Sequence, residues 1–373
     1  MSSIATFVLS LIFMMGFVKM VFMNTGKPPK LLELNLAHES DDALIVRAAW
    51  MYYVGGLNQE QTASRLGLHR SRVNRLLSEA RDRGLINVTI NHESARDIEV
   101  EQAIARCFGL DFCMTTPTLG FADGPSDPKA DRIRAAISRR AVGAAGASFL
   151  KGKLLDGPVT VGVSWGRTIE QVAMQLAGVR NPQARFVSLL GSLKRNSTSN
   201  PFEVVQFFAA RTGGEVHFLP VPFIADSLAD RKVFLEQRIV QDAMQLARNA
   251  DLYLISVGEL EETSVLRTQD ILTADELRNI QESGAVCDSL GKLFDINGRE
   301  INHPLSHRTV AIETNELRGR NVVLLAGGLE KVRATIALLR SGIVKGLIID
   351  GDTAVALAQS ALVLDQYNES HSR

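Results

Sequence analysis

From residue 160 onward, short apolar runs alternate with segments of helical length, and this alternation restricts the chain more than any other feature. "TVGVS", "RFVSLLG", "EVHFLPVP", "LYLISVG", "VVLLAGG" and "GLIID" are the apolar runs, and all but one lead directly into a helix-length stretch. Repeated strand-helix units predict an α/β, Rossmann-like domain whose largely parallel sheet carries helices on both faces. In such sheets ligands bind at the carboxyl ends of the strands, so the loops at those ends are the candidate sites.

Three loops qualify. "GVSWGRTI" (162–169) joins a strand to a helix, and Ser164, Arg167 and Thr168 stand where hydroxyls and amides at a helix N-terminus hold a phosphate or other anion. Glycine-rich turns of this kind also occur for packing alone. "LLGSLKRNSTSNP" is rich in hydroxyl and amide groups suited to sugar hydroxyls. "LLAGGLEKVRATIALLRSG" puts Gly327 and Gly328 at a strand end and Lys331 in the first helical turn, where a cation opposes the helix dipole unless an anion compensates. A solvated lysine satisfies the same pattern. Asp288 and Asp350 suit either ligand hydroxyls or helix capping. The histidines lack HExxH or HxxxH spacing and no nucleophile-base pair is evident, so no metal, cofactor or catalytic residue is expected.

The N-terminal third differs. "QTASRLGLHRSRVNRLLSEARDRG" (61–84) holds six arginines against Glu79 and Asp82, although the whole chain has 41 Lys+Arg and 41 Asp+Glu. A solvated helix face would explain a charge run, but the local pattern is more specific. "ALIVRAAWMYYVGGL" predicts a helix with Leu44, Ala48, Met51 and Tyr52 on one stripe, ending at Gly55 and Gly56. Asn58 and Gln61 have the spacing of a capping pair for a second helix that runs to about Leu66, and a third helix starts near Arg70 and stops at Gly84. Two helices crossing steeply need a small residue, a turn glycine and an apolar plug, and Ala63, Gly67 and Val73 hold those positions, with Leu66, Leu68, Leu76 and Leu77 completing the core. Arg70, Ser71, Arg72, Asn74, Arg75 and Ser78 then face outward, as on a helix-turn-helix reading helix that meets base edges and phosphates. The alternating "LINVTINHE" that follows predicts a strand of a wing.

Residues 1–30 are foreign to both patterns. Ile4 to Met23 is apolar apart from Thr6, Ser10 and Lys19, which suits a membrane span, a partner-binding helix, or an upstream segment preceding a later start at Met14, Met15, Met20 or Met23. The three cysteines form no CxxC pair, which argues against a disulfide framework or a zinc site and fits the cytoplasm. The expected organisation is an apolar extension (1–30), a winged helix-turn-helix (40–92), a linker or dimerisation helix (93–115) and an effector-binding domain (116–373).

Four blocks in the same order, "RAAWMYYVGGLNQEQTASRLGLHRSRVNRLLSEARDRGLI", "VGVSWGRTI", "GAVCDSLGKLFDINGREI" and "AGGLEKVRATIALLRSGIVKGLIID", resemble the SorC family of sugar-responsive bacterial transcriptional regulators. The resemblance covers the chain from about Leu44 to its end. It implies a winged helix-turn-helix joined to a domain similar to sugar-phosphate isomerases and deaminases, usually assembled as a tetramer. Carried over by position, the effector pocket draws on Ser164, Trp165, Gly166, Arg167, Thr168, Gly191, Ser192, Asp288, Gly327, Gly328 and Lys331. Cys287 stands where the family pattern leads one to expect glycine. "RAAWMYY" is similar to the version found in regulators of polyol or pentose use.

The function these features imply is a DNA-binding regulator of carbohydrate or polyol catabolism genes. Its partners are double-stranded operator DNA and a sugar, polyol or sugar-phosphate effector that favours one arrangement of the oligomer. Two alternatives stand beside it: a sugar-phosphate isomerase or deaminase with an appended basic domain, and a membrane-tethered regulator that depends on Ile4 to Met23.

Overall fold

The computed structural model describes residues 41–86, 95–121, 127–193, 200–262, 264–269 and 271–360. The apolar N-terminal run, most of the expected wing strand and loop positions 194–199 lie outside these residues. Two compact units divide between Leu77 and Ser78, within a helix. Among the described residues, no helix is long and apolar enough to cross a membrane.

The first unit contains helices α1 (Asp41–Ala49), α2 (Gln59–Leu66) and the start of α3 (Arg70–Asp82). Asn58 and Gln61 cap α2 reciprocally, the Asn58 side chain accepting from the Gln61 amide at 2.9 Å and the Gln61 side chain from the Asn58 amide at 3.0 Å. Gly67 ends α2 at φ 64°, a left-handed conformation that costs glycine little. Ala63, Leu66, Val73, Leu76 and Leu77 are buried, with Leu68 half-buried at their margin. The helix before them departs from the expected stripe. A wide π turn, Trp50–Val54, follows α1, and Ile45, Ala48 and Ala49 are the residues buried, with Leu44, Met51 and Tyr52 only half-buried. The extra residue in that turn moves the later positions out of simple 3.6-residue phase.

The second unit begins with α4 (Ala95–Phe108) and β1 (Phe112–Thr115), then α5 (Pro128–Leu155). Alternation follows through β2 (Thr160–Val163), α6 (Arg167–Gln175), β3 (Arg185–Ser192), α7 (Pro201–Thr212), β4 (Glu215–Pro222), α8 (Leu228–Glu236), α9 (Arg238–Arg248) and β5 (Leu252–Ser256). A small antiparallel sheet of β6 (Gly258–Glu259), β7 (Cys287–Ser289), β8 (Lys292–Phe294) and β9 (Glu300–Ile301) comes next, with α10 (Val265–Thr268) and α11 (Ala274–Glu282) between its first two strands. The described residues end with α12 (Pro304–Arg308), α13 (Thr314–Leu317), β10 (Val322–Ala326), α14 (Val332–Arg340), β11 (Gly346–Ile349) and helical residues 351–360.

Seven strands form one parallel sheet in the order β1-β11-β10-β5-β2-β3-β4. Its strands alternate between two apolar layers. Val161, Val163, Leu252, Leu254, Val323 and Leu325 pack with α5, α6 and α7. Val187, Leu189, Tyr253, Ile255, Val322 and Leu324 pack on the other face with residues of α4, α9 and α14. A sheet covered on both faces explains why its strands read as continuous apolar runs in the sequence. The expected Rossmann-like domain is thus present, with β1 and the small antiparallel sheet as additions.

Candidate functional site

In the parallel sheet, β3 and β4 extend outward from one side of β2, while β5, β10 and β11 lie on the other. The carboxyl ends of β2 and β5 therefore flank a topological switch point, the place where open α/β sheets form a ligand crevice. A cleft is found there. Its walls are Ser164–Thr168 after β2, Ser256–Glu259 after β5, Ser264–Leu266, Asp288–Leu290 and Lys331.

Short polar links fix the frame. The Ser164 amide donates to the Leu254 carbonyl at 2.9 Å, and its hydroxyl accepts the Ser256 amide at 3.1 Å. Ser256 in turn donates its hydroxyl to the Trp165 carbonyl at 2.7 Å, and Ser289 donates to the Ser256 carbonyl at 2.9 Å. Gly166 opens α6 at φ 112°, which a residue with a Cβ reaches only under strain. Trp165 turns into the core beside Phe223, ring centroids 5.9 Å apart. Thr168 is buried, and its Oγ1 has no hydrogen-bond partner among the described residues.

Buried charge concentrates around Glu259, which is 5% exposed. Arg167 Nη2 donates to its Oε1 at 3.2 Å, and Lys331 Nζ lies 3.9 Å from Oε2 while donating to the Val257 carbonyl at 2.8 Å. Burial pulls the Lys331 pKa down, and Glu259 opposes that shift. Lys331 is thus not a solvated side chain, and Glu259 is the anion that compensates its place at the N-cap of α14. Asp288 is buried beside them. Desolvation, reinforced by the Glu259 charge, raises its carboxyl from 3.8 to about 7, against the pull of Lys331 and a Gly291 backbone hydrogen bond.

The hairpin carrying Asp288 has an unusual turn. Leu290 (φ 53°) and Gly291 (φ 73°) join β7 to β8, and Leu290 is the one non-glycine residue with positive φ among the described residues. Two-residue turns with both φ values positive favour Asn or Gly. A leucine there is strained and is kept by its burial against the cleft. Cys287 packs in the apolar core and does not line the cleft, so the departure from glycine leaves the polar wall intact.

Of the expected effector residues, Ser164, Trp165, Gly166, Arg167, Thr168, Asp288 and Lys331 come together in this cleft. Gly191, Ser192, Gly327 and Gly328 are not among its lining residues. Gly191 lies at an irregularity between β3 and β4, where a Cβ would press on the carbonyl oxygens of Val221 and Pro222. Ser192 ends β3, and its carbonyl accepts the Phe223 amide at 2.9 Å. Gly327 packs against α5 at Ser138 and Arg139. The Gly328 amide donates to Asp350 Oδ2 at 2.8 Å, while Asp350 Oδ1 accepts the Thr353 amide at 3.1 Å. Asp350 is therefore a helix cap that also ties down the Gly328 loop. The other cleft residues, among them Glu259, Ser256, Ser289 and Leu290, escaped the sequence reading.

On α3, Arg70, Ser71, Asn74 and Arg75 are exposed and Arg72 and Ser78 half-buried. Gln59 connects two of them, accepting from Arg70 Nε at 3.3 Å and donating to Asn74 Oδ1 at 3.4 Å. Arg72 pairs with Asp41 at 3.0 Å.

Residues 92–359 match the family model described as "Putative sugar-binding domain". Over 320 residues the chain is 34% identical to the erythritol catabolism regulatory protein EryD of Brucella abortus, covering 86% of this chain and 97% of that one. The chain belongs to the SorC family. It is also 28% identical to the transcriptional regulator LsrR of Escherichia coli, over 86% of this chain and 96% of that one. Among solved structures, the full-length sorbitol operon regulator SorC of Klebsiella pneumoniae aligns with TM-score 0.61 at 23% identity, covering 86% of this chain and all of that one. A DeoR family transcriptional regulator from Listeria monocytogenes aligns with TM-score 0.62 at 16% identity, over 70% of this chain and 99% of that one. As a SorC family protein the chain is a transcriptional regulator, not an isomerase or deaminase.

Proposed function

We propose that this SorC family regulator controls genes for the uptake or breakdown of a polyol or other carbohydrate. It does so by binding operator DNA through α3 and an effector in the cleft at the β2/β5 switch point. Arg70, Arg72 and Asn74, in the N-terminal half of the reading helix, meet base edges, while Ser71, Arg75 and Ser78 hold phosphates. Ser164–Thr168, Asp288 and Lys331 hold the effector. In this reading residues 40–92 are the DNA-binding domain, residues 93–115 the connecting element and residues 116–373 the effector domain. The chain works in the cytoplasm as a homo-oligomer, a dimer or tetramer, because paired reading heads recognise paired half-sites.

The observation that carries the reading is the 34% identity to an erythritol catabolism regulator over 86% of this chain, joined to a polar cleft at the ligand-binding position of the sheet. It is tested by deleting the gene and measuring transcripts of the adjacent genes during growth on single polyols and sugars. The reading expects a carbon-source response of neighbouring catabolic genes that disappears in the deletion strain. Transcript levels that do not depend on the protein under any carbon source would contradict it.

A further inference from the structure

The exposed face of α3 carries a tie to α2. Gln59 is the first residue of α2, next to the cap Asn58, and is half-buried. Its side-chain carbonyl accepts from Arg70 Nε at 3.3 Å, and its amide nitrogen donates to Asn74 Oδ1 at 3.4 Å. Arg70 and Asn74 stand four residues apart on α3, so their side chains leave the helix on the same face. One amide therefore spans two of the side chains assigned to base edges, while the reciprocal Asn58–Gln61 cap fixes the turn from which it reaches out.

The ends of this bridge dictate its polarity. An arginine Nε can only donate, so the Gln59 carbonyl faces Arg70 and its NH2 group faces Asn74. The Asn74 carbonyl is then the group turned toward Gln59. Arg70 keeps both terminal nitrogens, the fork that fits guanine O6 and N7. Asn74 keeps its NH2 group and one carbonyl lone pair, which match adenine N7 and N6. Exposed side chains of this kind sample several rotamers, and holding them in place beforehand lowers the ordering cost of binding.

We propose that Gln59 is a positioning residue for operator recognition: it holds Arg70 and Asn74 in the orientation in which they read bases and reads none itself. The proposal rests on the regulator reading above, in which α3 meets base edges. Fluorescence anisotropy of the full chain tests it, on DNA from upstream of its own gene, on the same DNA with single base pairs substituted, and on random DNA, over a salt series. Gln59→Met removes both hydrogen bonds while keeping much of the shape, and Gln59→Ala is a second variant that favours the helix. Each should lower affinity for the upstream DNA about three- to tenfold. The loss should fall on discrimination at the base pairs that Arg70→Ala and Asn74→Ala identify. Random-DNA binding and the salt slope should stay unchanged, because no phosphate contact is removed. Gln59→Met should also lose less in an Arg70→Ala background than in the wild type, since one of its two partners is gone. Undiminished discrimination in both variants would overturn the proposal. So would a smaller salt slope, which would make Gln59 a phosphate ligand, or fully additive losses, which would give it a base contact of its own. Wild-type binding that does not distinguish upstream from random DNA would strike the regulator reading itself, and the proposal with it.

Discussion

Asp288 puts a titration inside the neutral range. Its folded value of about 7 stands above its ordinary 3.8, so between those limits the folded protein binds more protons than the unfolded one. The stability tied to this group is greatest below about pH 4 and declines as pH rises through about 7. Glu330, also raised by burial, acts in the same direction. The decline attributable to Asp288 is on the order of 2–4 kcal/mol. Melting curves from pH 5 to pH 8 should show the wild-type temperature falling, and Asp288→Asn should flatten that fall; an equal slope in the variant would contradict the assignment. On α3, the partners of the reading side chains matter in a different way. The Arg72–Asp41 pair contributes at most about 1 kcal/mol, and under the proposed function Arg72 gives up this contact when it engages DNA. Asp41→Ala should therefore tighten DNA binding a few-fold at low salt, whereas Arg70→Ala should cost about 1–3 kcal/mol and relax selectivity at one base pair. Both are read by fluorescence anisotropy on operator variants.

At the scale of elements, turns and caps fix the two sites. Asn58→Ala removes one half of the α2 capping box and should cost about 1 kcal/mol, visible as a lower denaturant midpoint. Gly166→Ala forces a Cβ into a φ of 112° and places it 3.3 Å from Ser256 Oγ. It should cost about 1–3 kcal/mol and, because Gly166 aims the start of α6, weaken effector binding more than the stability loss alone explains. Much of this was legible in the sequence, for a physical reason. Parallel strands covered on both faces leave unbroken apolar runs, and the helix-turn-helix leaves a glycine, a cap and a plug at fixed offsets. The antiparallel strands escaped because two or three residues are too few to show a period of two, and β1 escaped because "FCMT" lies in a stretch that reads as a connecting helix. Glu259 was missed because nothing local separates it from its neighbours Glu261 and Glu262 in "VGELEE". Only the fold, by bringing Arg167 and Lys331 to the same strand ends, makes it the charged centre of the cleft. Gly191, which the resemblance assigns to the effector, is also a glycine that close packing between β3 and β4 requires, and the sequence does not separate the two demands.

At the scale of the whole molecule, a formal net charge of zero means that attraction to DNA comes from the arginines of one short segment. Affinity should then fall steeply with salt, in proportion to the phosphates engaged. Effector control requires that ligand bind one state of the oligomer better than another, and its effect on DNA binding is limited by that difference. A compound that occupies the cleft equally in both states would stabilise the protein without moving it on or off the operator. The decisive measurement is fluorescence anisotropy of the full chain on DNA from upstream of its own gene, at two salt concentrations, with and without a pool of polyols, sugars and sugar phosphates. Tight, salt-steep binding that exceeds binding to random DNA and shifts at least several-fold when the pool is added is the expected result. Binding no tighter than to random DNA, or specific binding that the pool leaves unchanged, would contradict it.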